Sequence, residues 1–469
     1  MNKKLVCFSL ALFAFAANAL ANVYLPSVFQ DHMVLQRNTA VTIWGFAHAG
    51  EDVTVTPSWS SEAVKVKTPA NGHWSIVLKT PDAGGPYTIE FQGYNYIALK
   101  DVLIGEVWVC SGQSNMDMSV NWGNFGPHVL NGKEEKNNAN YPGIRIFRIP
   151  HFSAEAPQLN VPAEWKLCTP DVMANSSAVA YFFAREIHKK LGVPVGIVQA
   201  AWGGTPIEIW TPAEKIRNDP YLNKESAKIT PIEWGPVEPG VSFNAMIKPV
   251  IPYTIRGALW YQGEANVENA EAYDRMLKAM SDGWRDAWGY DFPFYYVQIA
   301  PWKYGAKQGA QIRDAQRRAL SQIDNSGMVV ISDIGNIENI HPANKQDVGK
   351  RLAAWALNKT YGVSDAMVSG PIYKGIKREG KKIRIFFDYA QGLRTMDGKA
   401  VDWFEIAGKD KHFHTATAEI DGDTIVVSSP DVKKPIAVRF AFENIAQPNL
   451  TNESGLPASC FRTDDWDIN

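Results

Sequence analysis

The sequence predicts a mixed α/β chain, with a central parallel sheet covered by helices between two β-rich modules. Three observations carry this reading. From Val102 to about Gly370, short apolar runs alternate with helical ones. Before it, Asn22 to about Lys100 shows only short alternating runs broken by Gly, Pro and Asp turns. After it, from about Pro371 to Asn469, the pattern is β again.

The expected domains are 22–100, a β-sandwich; 101–370, the α/β core; and 371–469, a C-terminal β-rich region. In the first, Ala40–Trp44, Val53–Val55 and His73–Leu78 read as strands. The core strands are expected at Glu106–Cys110, Val195–Gln199, Gly257–Tyr261, Phe294–Ile299 and Met328–Ser332. Helices are expected at Ser177–Lys190, Ala270–Trp288, Gln311–Ile323 and Lys345–Lys359. Alternation of this kind places helices on both faces of a parallel sheet. Asp117 to about Ala174 and Asn218–Gly240 lack the rhythm and read as long loops able to wall a binding site. The last module is expected to hold strands at Ile383–Phe387, Thr424–Val427 and Ile436–Phe440.

A chain of 469 residues is too long for one ordinary core, and 45% hydrophobic with 20% charged residues is a globular balance. The formal charge of −2 and the lack of a Lys/Arg block argue against nucleic acid or an anionic membrane as partner. Sixteen Trp suit a carbohydrate-facing cleft or large sandwich cores equally. Lys3 and Lys4, the apolar run Leu5–Ala17 and Ala19-Leu20-Ala21 read as a cleavable signal peptide over 1–21, so a secreted or periplasmic protein with no membrane contact after cleavage is expected. That leaves Cys110, Cys168 and Cys460, an odd set in which at least one thiol stays free or pairs between chains. No Cys/His spacing matches a zinc site, and His412 and His414 read as solvent-facing.

Ligands of open α/β sheets bind beyond the carboxyl ends of the strands. The residues just past each expected strand are therefore informative. Val107–Cys110 runs into Ser111-Gly112-Gln113-Ser114-Asn115, a tight turn that lifts Ser114 out of the sheet edge. The next strands lead into Trp202-Gly203-Gly204, into Gln262-Gly263-Glu264-Ala265-Asn266, and into Asp333 and Glu338-Asn339-Ile340-His341. These are the parts for acyl transfer: Ser114 as nucleophile and His341 as base and then acid. Glu338, three residues before His341, is placed to fix the imidazole tautomer, with Asp333 or a carbonyl as rivals. Gly203-Gly204 can aim an N–H at an oxyanion, and Gln262 or Asn266 can add a side-chain amide.

At these residues the chain resembles the sialate O-acetylesterase family of secreted SGNH-type esterases. The resemblance rests on Leu25–Arg37, GEVWVCSGQSNM at Gly105–Met116, Ala201–Pro206, WYQGEAN at Trp260–Asn266, HPANKQDVGKRL at His341–Leu352, and Gly455–Trp466. It implies a flavodoxin-like three-layer SGNH hydrolase core with N-terminal and C-terminal β-sandwich elements, and release of acetate from O-acetylated sugars without a metal or other cofactor. It implies Ser114 as nucleophile and His341 as base, with the N–H groups of Ser114 and Gly204 as oxyanion donors near Gln262 and Asn266. Gln113, Trp202 and Glu264 are the expected substrate contacts. Two residues depart from the SGNH pattern: Glu338 stands where Asp is usual, and Ala265 where Asn is usual.

O-acetylated sialic acid is the expected substrate, with acetylated xylan or another polysaccharide as the alternative. Sialate would favour a cationic side chain in the cleft, for which Arg256, Lys303 and Arg313 are candidates; a neutral glycan would favour Trp122, Trp202, Trp210 or Trp302. A non-catalytic sugar-binding protein on an esterase scaffold, and a thioesterase or lipase-like enzyme, are the rivals from other classes.

Overall fold

Strand alternation dictates the centre of the molecule. In the computed structural model, which describes residues 22–123 and 128–468, Tyr96–Gly112 forms one long strand, β1. Val107 and Val109 of β1 enter one apolar cluster, whereas Trp108 and Cys110 enter another on the opposite face. The remaining strands of the core sheet are β2 (Tyr141–Arg148), β3 (Trp165–Cys168), β4 (Val195–Ala201), β5 (Gly257–Tyr261), β6 (Phe294–Val297) and β7 (Ser326–Val329). Their spatial order is β7-β6-β5-β1-β4-β2-β3, parallel except for β3, which runs antiparallel to β2.

Helices cover both faces. Helices α1 (Ala178–Leu191) and α4 (Lys345–Trp355) pack together over the Trp108 face. Helices α2 (Tyr273–Trp288) and α3 (Gln308–Ala319) cover the Val107 face. Local chemistry sets their ends. The Ser177 hydroxyl accepts from Ala180 N at 3.1 Å, and Gly192 closes α1 at φ 68°. Asn344 caps α4 by accepting from Asp347 N at 3.0 Å.

The chain leaves β1 for β2 and β4 on one side, then crosses to β5, β6 and β7 on the other, so the strand order reverses at β1. Ala201 of β4 and Tyr261 of β5 both pair with Gly112, so three carboxyl ends are level there. Gly112 has φ 143°, and a Cβ on it would lie 2.1 Å from the Tyr261 carbonyl oxygen. Only glycine lets the chain turn there and deliver Ser114.

The N-terminal half of β1 also pairs with Gly84–Gln92 and, in parallel, with Val34–Gln36. The expected division at 100/101 therefore falls inside one strand shared by the N-terminal and central sheets. Ala40–Phe46 pairs with His73–Lys79 in a separate two-stranded sheet whose Val41, Ile43 and Trp74 pack with Val53, Val55 and Phe91. Beyond residue 371, two four-stranded antiparallel sheets enclose a third apolar cluster.

Several expectations need correction. Asp117–Ala174 is not all loop, since it supplies β2 and β3; the buried run Ile144–Phe147 does not alternate and sits among Asn, Gly and Pro residues. Glu264–Ala272 is 3₁₀-helical with a break at Asn266 and Asn269, so α2 starts at Tyr273. Asn218–Gly240 contains a short helix, Pro220–Ser226. Cys110, Cys168 and Cys460 are all buried and unpaired. The expected signal peptide, 1–21, lies outside the described residues.

Candidate active site

Ser114 opens a single helical turn, Ser114–Asp117, directly after β1. His341 stands between β7 and α4, and its Nε2 lies 2.9 Å from Ser114 Oγ. The chain therefore brings together the two residues on which the sequence reading most depends, across 227 positions. Burial, reinforced by the Lys345 ammonium, lowers the His341 pKa to about 4. Its imidazole is accordingly neutral at pH 7. With its proton on Nδ1, Nε2 can accept from the serine hydroxyl.

The two stand on a cleft of ≈ 880 Å³ whose walls include Gln113, Trp122, His151, Trp202, Gly203-Gly204, Trp234 and Glu264. Trp202 stacks on His151 with ring centroids 5.0 Å apart and planes within 6°. His151 Nε2 in turn lies 3.1 Å from Asp117 Oδ2. Trp234 is 64% exposed and leans over Gly204. At φ 75°, Gly204 holds the left-handed backbone that favours glycine, and a Cβ there would displace the exposed Trp234 ring, whose Nε1 lies 2.2 Å away. Gly203 passes the nucleophile closely, a Cβ on it lying 3.5 Å from Ser114 Cβ. Among the described residues, no protein acceptor takes the N–H of Ser114, Gly203 or Gly204.

Three expected residues take other work. Glu338 accepts from Lys303 Nζ at 2.6 Å with both oxygens, out in solvent, and makes no hydrogen bond to His341. The rival Asp333 is held by Arg351 Nη1 at 2.7 Å. Each acid sits beside a cation it reaches more readily than the ring. Gln262 and Asn266 are buried and do not line the cleft. Gln262 Nε2 donates to Asn266 Oδ1 at 2.7 Å, and Asn266 Nδ2 donates to Glu208 Oε2 at 2.8 Å. Their amides brace the loop after β5 from below.

Gln113, Trp202 and Glu264 do line the cleft. Gln113 Oε1 accepts from Ala265 N at 3.2 Å, pinning the turn to the loop after β5. Glu264 accepts from Asn115 Nδ2 at 2.6 Å. Burial pushes its carboxyl above the usual range, opposed by that hydrogen bond and by Lys345. Lys345, fully buried, donates to Asn115 Oδ1, and burial lowers its pKa to about 7 against the pull of Glu264.

Asn115, Lys345, His151 and Trp234 carry no role in the sequence reading. Asn115 and Lys345 lie inside the motifs GQSNM and HPANK, yet neither spacing nor residue type shows that they meet. Trp234 lies in a stretch with no periodicity, so no local signal marks it. Among the expected aromatics, Trp122 and Trp202 reach the cleft; Trp210 is core and Trp302 packs on Tyr304. Of the candidate cations, Arg256 is paired with Glu106, Lys303 with Glu338, and Arg313 is buried against carbonyls that include Ala446 O.

Comparison with known proteins places the chain in a family. The sequence model of the family described as carbohydrate esterase, sialic acid-specific acetylesterase, matches residues 104–358. The sialate O-acetylesterase of Homo sapiens is 30% identical over 408 residues, covering 78% of this chain and 77% of that protein. That of Rattus norvegicus is 30% identical over 456 residues, 82% of each. A crystal structure of a carbohydrate acetylesterase from Xanthomonas citri is similar over 95% of this chain and 100% of that one, with 36% identity and a TM-score of 0.86. A carboxylic ester hydrolase of mixed α/β fold, the chain belongs to the sialate O-acetylesterase family of carbohydrate esterases.

Proposed function

We propose that the protein is a serine carbohydrate O-acetylesterase working through an acetyl-enzyme on an SGNH-type core. The carrying observation is the 2.9 Å contact of Ser114 Oγ with His341 Nε2 where the strand order reverses, at the floor of an aromatic cleft. The Ser114 proton passes to His341 as Oγ bonds to the acetyl carbonyl carbon. The carbon–oxygen bond to the sugar then breaks, and His341 returns the proton to the departing hydroxyl. Water, deprotonated by the same nitrogen, bonds to the acetyl carbon; the bond from that carbon to Ser114 Oγ breaks, His341 returns the proton to Oγ, and acetic acid leaves as acetate. The unpaired N–H groups of Ser114 and the Gly203-Gly204 turn supply the oxyanion donors, a role in which one donor is worth about 2.7–4 kcal/mol of barrier. Loss of acetate release from 4-nitrophenyl acetate in Ser114→Ala tests this reading; a wild-type rate refutes it. A wild-type protein that binds acetylated sugars but releases no acetate supports the sugar-binding alternative.

On substrate, the cleft chemistry favours a neutral acetylated glycan over sialate. Among the described residues its lining carries Asp117, Glu264 and Glu268 but no Lys or Arg. A sialate carboxylate would meet Glu268 there, and Asp117 only as part of its pair with Arg148 at 3.4 Å. Trp122, Trp202 and Trp234 offer apolar faces on which pyranose rings can stack. Acetylated xylo-oligosaccharides should therefore be turned over with a higher kcat/KM than O-acetylated N-acetylneuraminic acid; the opposite order restores sialate. We also place the protein outside the cytoplasm, on the Lys3–Ala21 pattern, and mass determination of the exported protein checks cleavage before Asn22.

A further inference from the structure

The imidazole of His341 faces Ser114 without a carboxylate behind it. Among the described residues no side chain or carbonyl accepts from its Nδ1. Something else must keep two segments so distant in the chain at hydrogen-bond distance.

One side chain grips both. Asn115, adjacent to the nucleophile and fully buried, donates from Nδ2 to the Ile340 carbonyl at 3.0 Å, the peptide that leads into His341. The same nitrogen donates to Glu264 Oε1 at 2.6 Å, and Oδ1 accepts from Lys345 Nζ at the start of α4. Both N–H donors and the oxygen of the amide are thus engaged. Through this one group the nucleophile turn, the histidine segment, the start of α4 and the end of β5 are tied together. Glu264 and Lys345 do not touch each other within ion-pair distance; Asn115 stands between them. A buried lysine and a buried glutamate are costly to keep, and apolar side chains in both places together would often be no less stable. Their retention fits a role in geometry and field rather than in stability. Lys345 also places positive charge near His341 and so opposes its protonation. The other titratable groups lining the cleft are Asp117, His151, Glu264 and Glu268, with the Glu338–Lys303 pair outside it.

We propose that Asn115, braced by Glu264 and Lys345, is the positioning residue of the Ser114–His341 pair and takes the place of a carboxylate on the imidazole. The proposal rests on the reading of Ser114 as nucleophile and His341 as base.

The test uses the full chain with 4-nitrophenyl acetate as substrate and a fluorophosphonate as serine probe. Asn115→Ala should lower kcat about 100-fold, the scale of a catalytic group displaced by about 1 Å, with KM within about twofold. Asn115→Asp keeps the acceptor for Lys345 and loses both N–H donors, so it should fall in the same direction with less disturbance of packing. Lys345→Met removes a buried charge at similar volume but leaves Glu264 and Asn115 Oδ1 without that partner, so its pH profile is read only on protein that circular dichroism shows to be folded. Its acid limb of kcat/KM should move up from about 4 toward the ordinary histidine value, a shift that a merely structural residue would not cause. Folded Asn115 variants with parental kcat, or an unmoved acid limb in Lys345→Met, overturn the proposal. Turnover and probe labelling that survive in Ser114→Ala overturn instead the nucleophile assignment beneath it.

Discussion

The His341 segment has an outer and an inner carboxylate, and each meets a lysine differently. Outside, Glu338 and Lys303 join in a solvent-exposed pair 2.6 Å long, with both side chains more than half exposed. Inside, Glu264 and Lys345 are buried and meet only through Asn115. The outer pair has the sequence spacing of a triad acid and makes no contact with the ring. The inner pair has no spacing that marks it, yet both members bond to Asn115, which stands next to Ser114 and itself donates to the Ile340 carbonyl beside His341. Water explains the contrast. An exposed carboxylate takes the nearest mobile cation for about 0–1 kcal/mol and fixes little. A buried one needs all its partners in place, so it holds whatever carries them.

The largest expected effect removes what both pairs surround. Ser114→Ala and His341→Ala should each lower kcat at least about 10⁴-fold, measured by acetate release, while thermal unfolding stays near the parent's. If His341→Ala keeps a substantial part of the rate, neither pair bears on catalysis and the comparison loses its subject.

On the inner side, Glu264→Ala leaves one of the two Asn115 Nδ2 hydrogens without its buried acceptor, the Ile340 carbonyl keeping the other. A stability loss of about 1–3 kcal/mol is expected in urea unfolding, together with lowered kcat. At the cleft mouth, Trp234→Ala should raise KM for a neutral acetylated oligosaccharide about tenfold and leave 4-nitrophenyl acetate unaffected, as for a stacking platform worth about 1 kcal/mol.

The pH profile sharpens the same contrast. His341 is lowered to about 4 in the fold, against 6.5 for an ordinary histidine. The base therefore remains unprotonated, and kcat/KM should hold, from pH 7 down to about pH 5. The unfolded chain protonates this histidine first, so its contribution to stability declines as pH falls from about 6.5 to about 4 and is level above that window. An acid limb near 6.5 in the wild type would show that neither burial nor Lys345 acts on the ring.

The smallest effect belongs to the outer pair. Glu338→Gln should change kcat less than about threefold and stability by less than about 1 kcal/mol. A hundredfold loss would move the orienting role back to Glu338 and away from Asn115.

Local rules exposed much of the architecture to sequence reading. Core strands and helices showed where periodicity was strong, as in Val195–Ala201 and Ala178–Leu191. Strands β2 and β3 escaped because Pro142 and Gly143 open β2, its buried run Ile144–Phe147 does not alternate, and the edge strand β3 has only four residues. At the site, Ser114 and His341 were legible because each comes after a buried strand at its carboxyl end, where chemistry collects. For Gln262 and Asn266 the sequence leaves two roles open, because an amide near a glycine turn looks the same whether it faces a ligand or closes the loop beneath it. Burial separates the two, and burial is not a local property.

By itself, then, the amino-acid order determined the alternation of elements, the turn that presents Ser114 and the set of residues available for acyl transfer. These arise from backbone sterics and side-chain periodicity over a few residues. Only the tertiary structure decided which carboxylate meets which cation, that Asn115 ties the serine to the histidine segment, and that Trp234 walls the cleft. Such pairings join segments more than a hundred residues apart, and their strength depends on how much water the finished fold excludes.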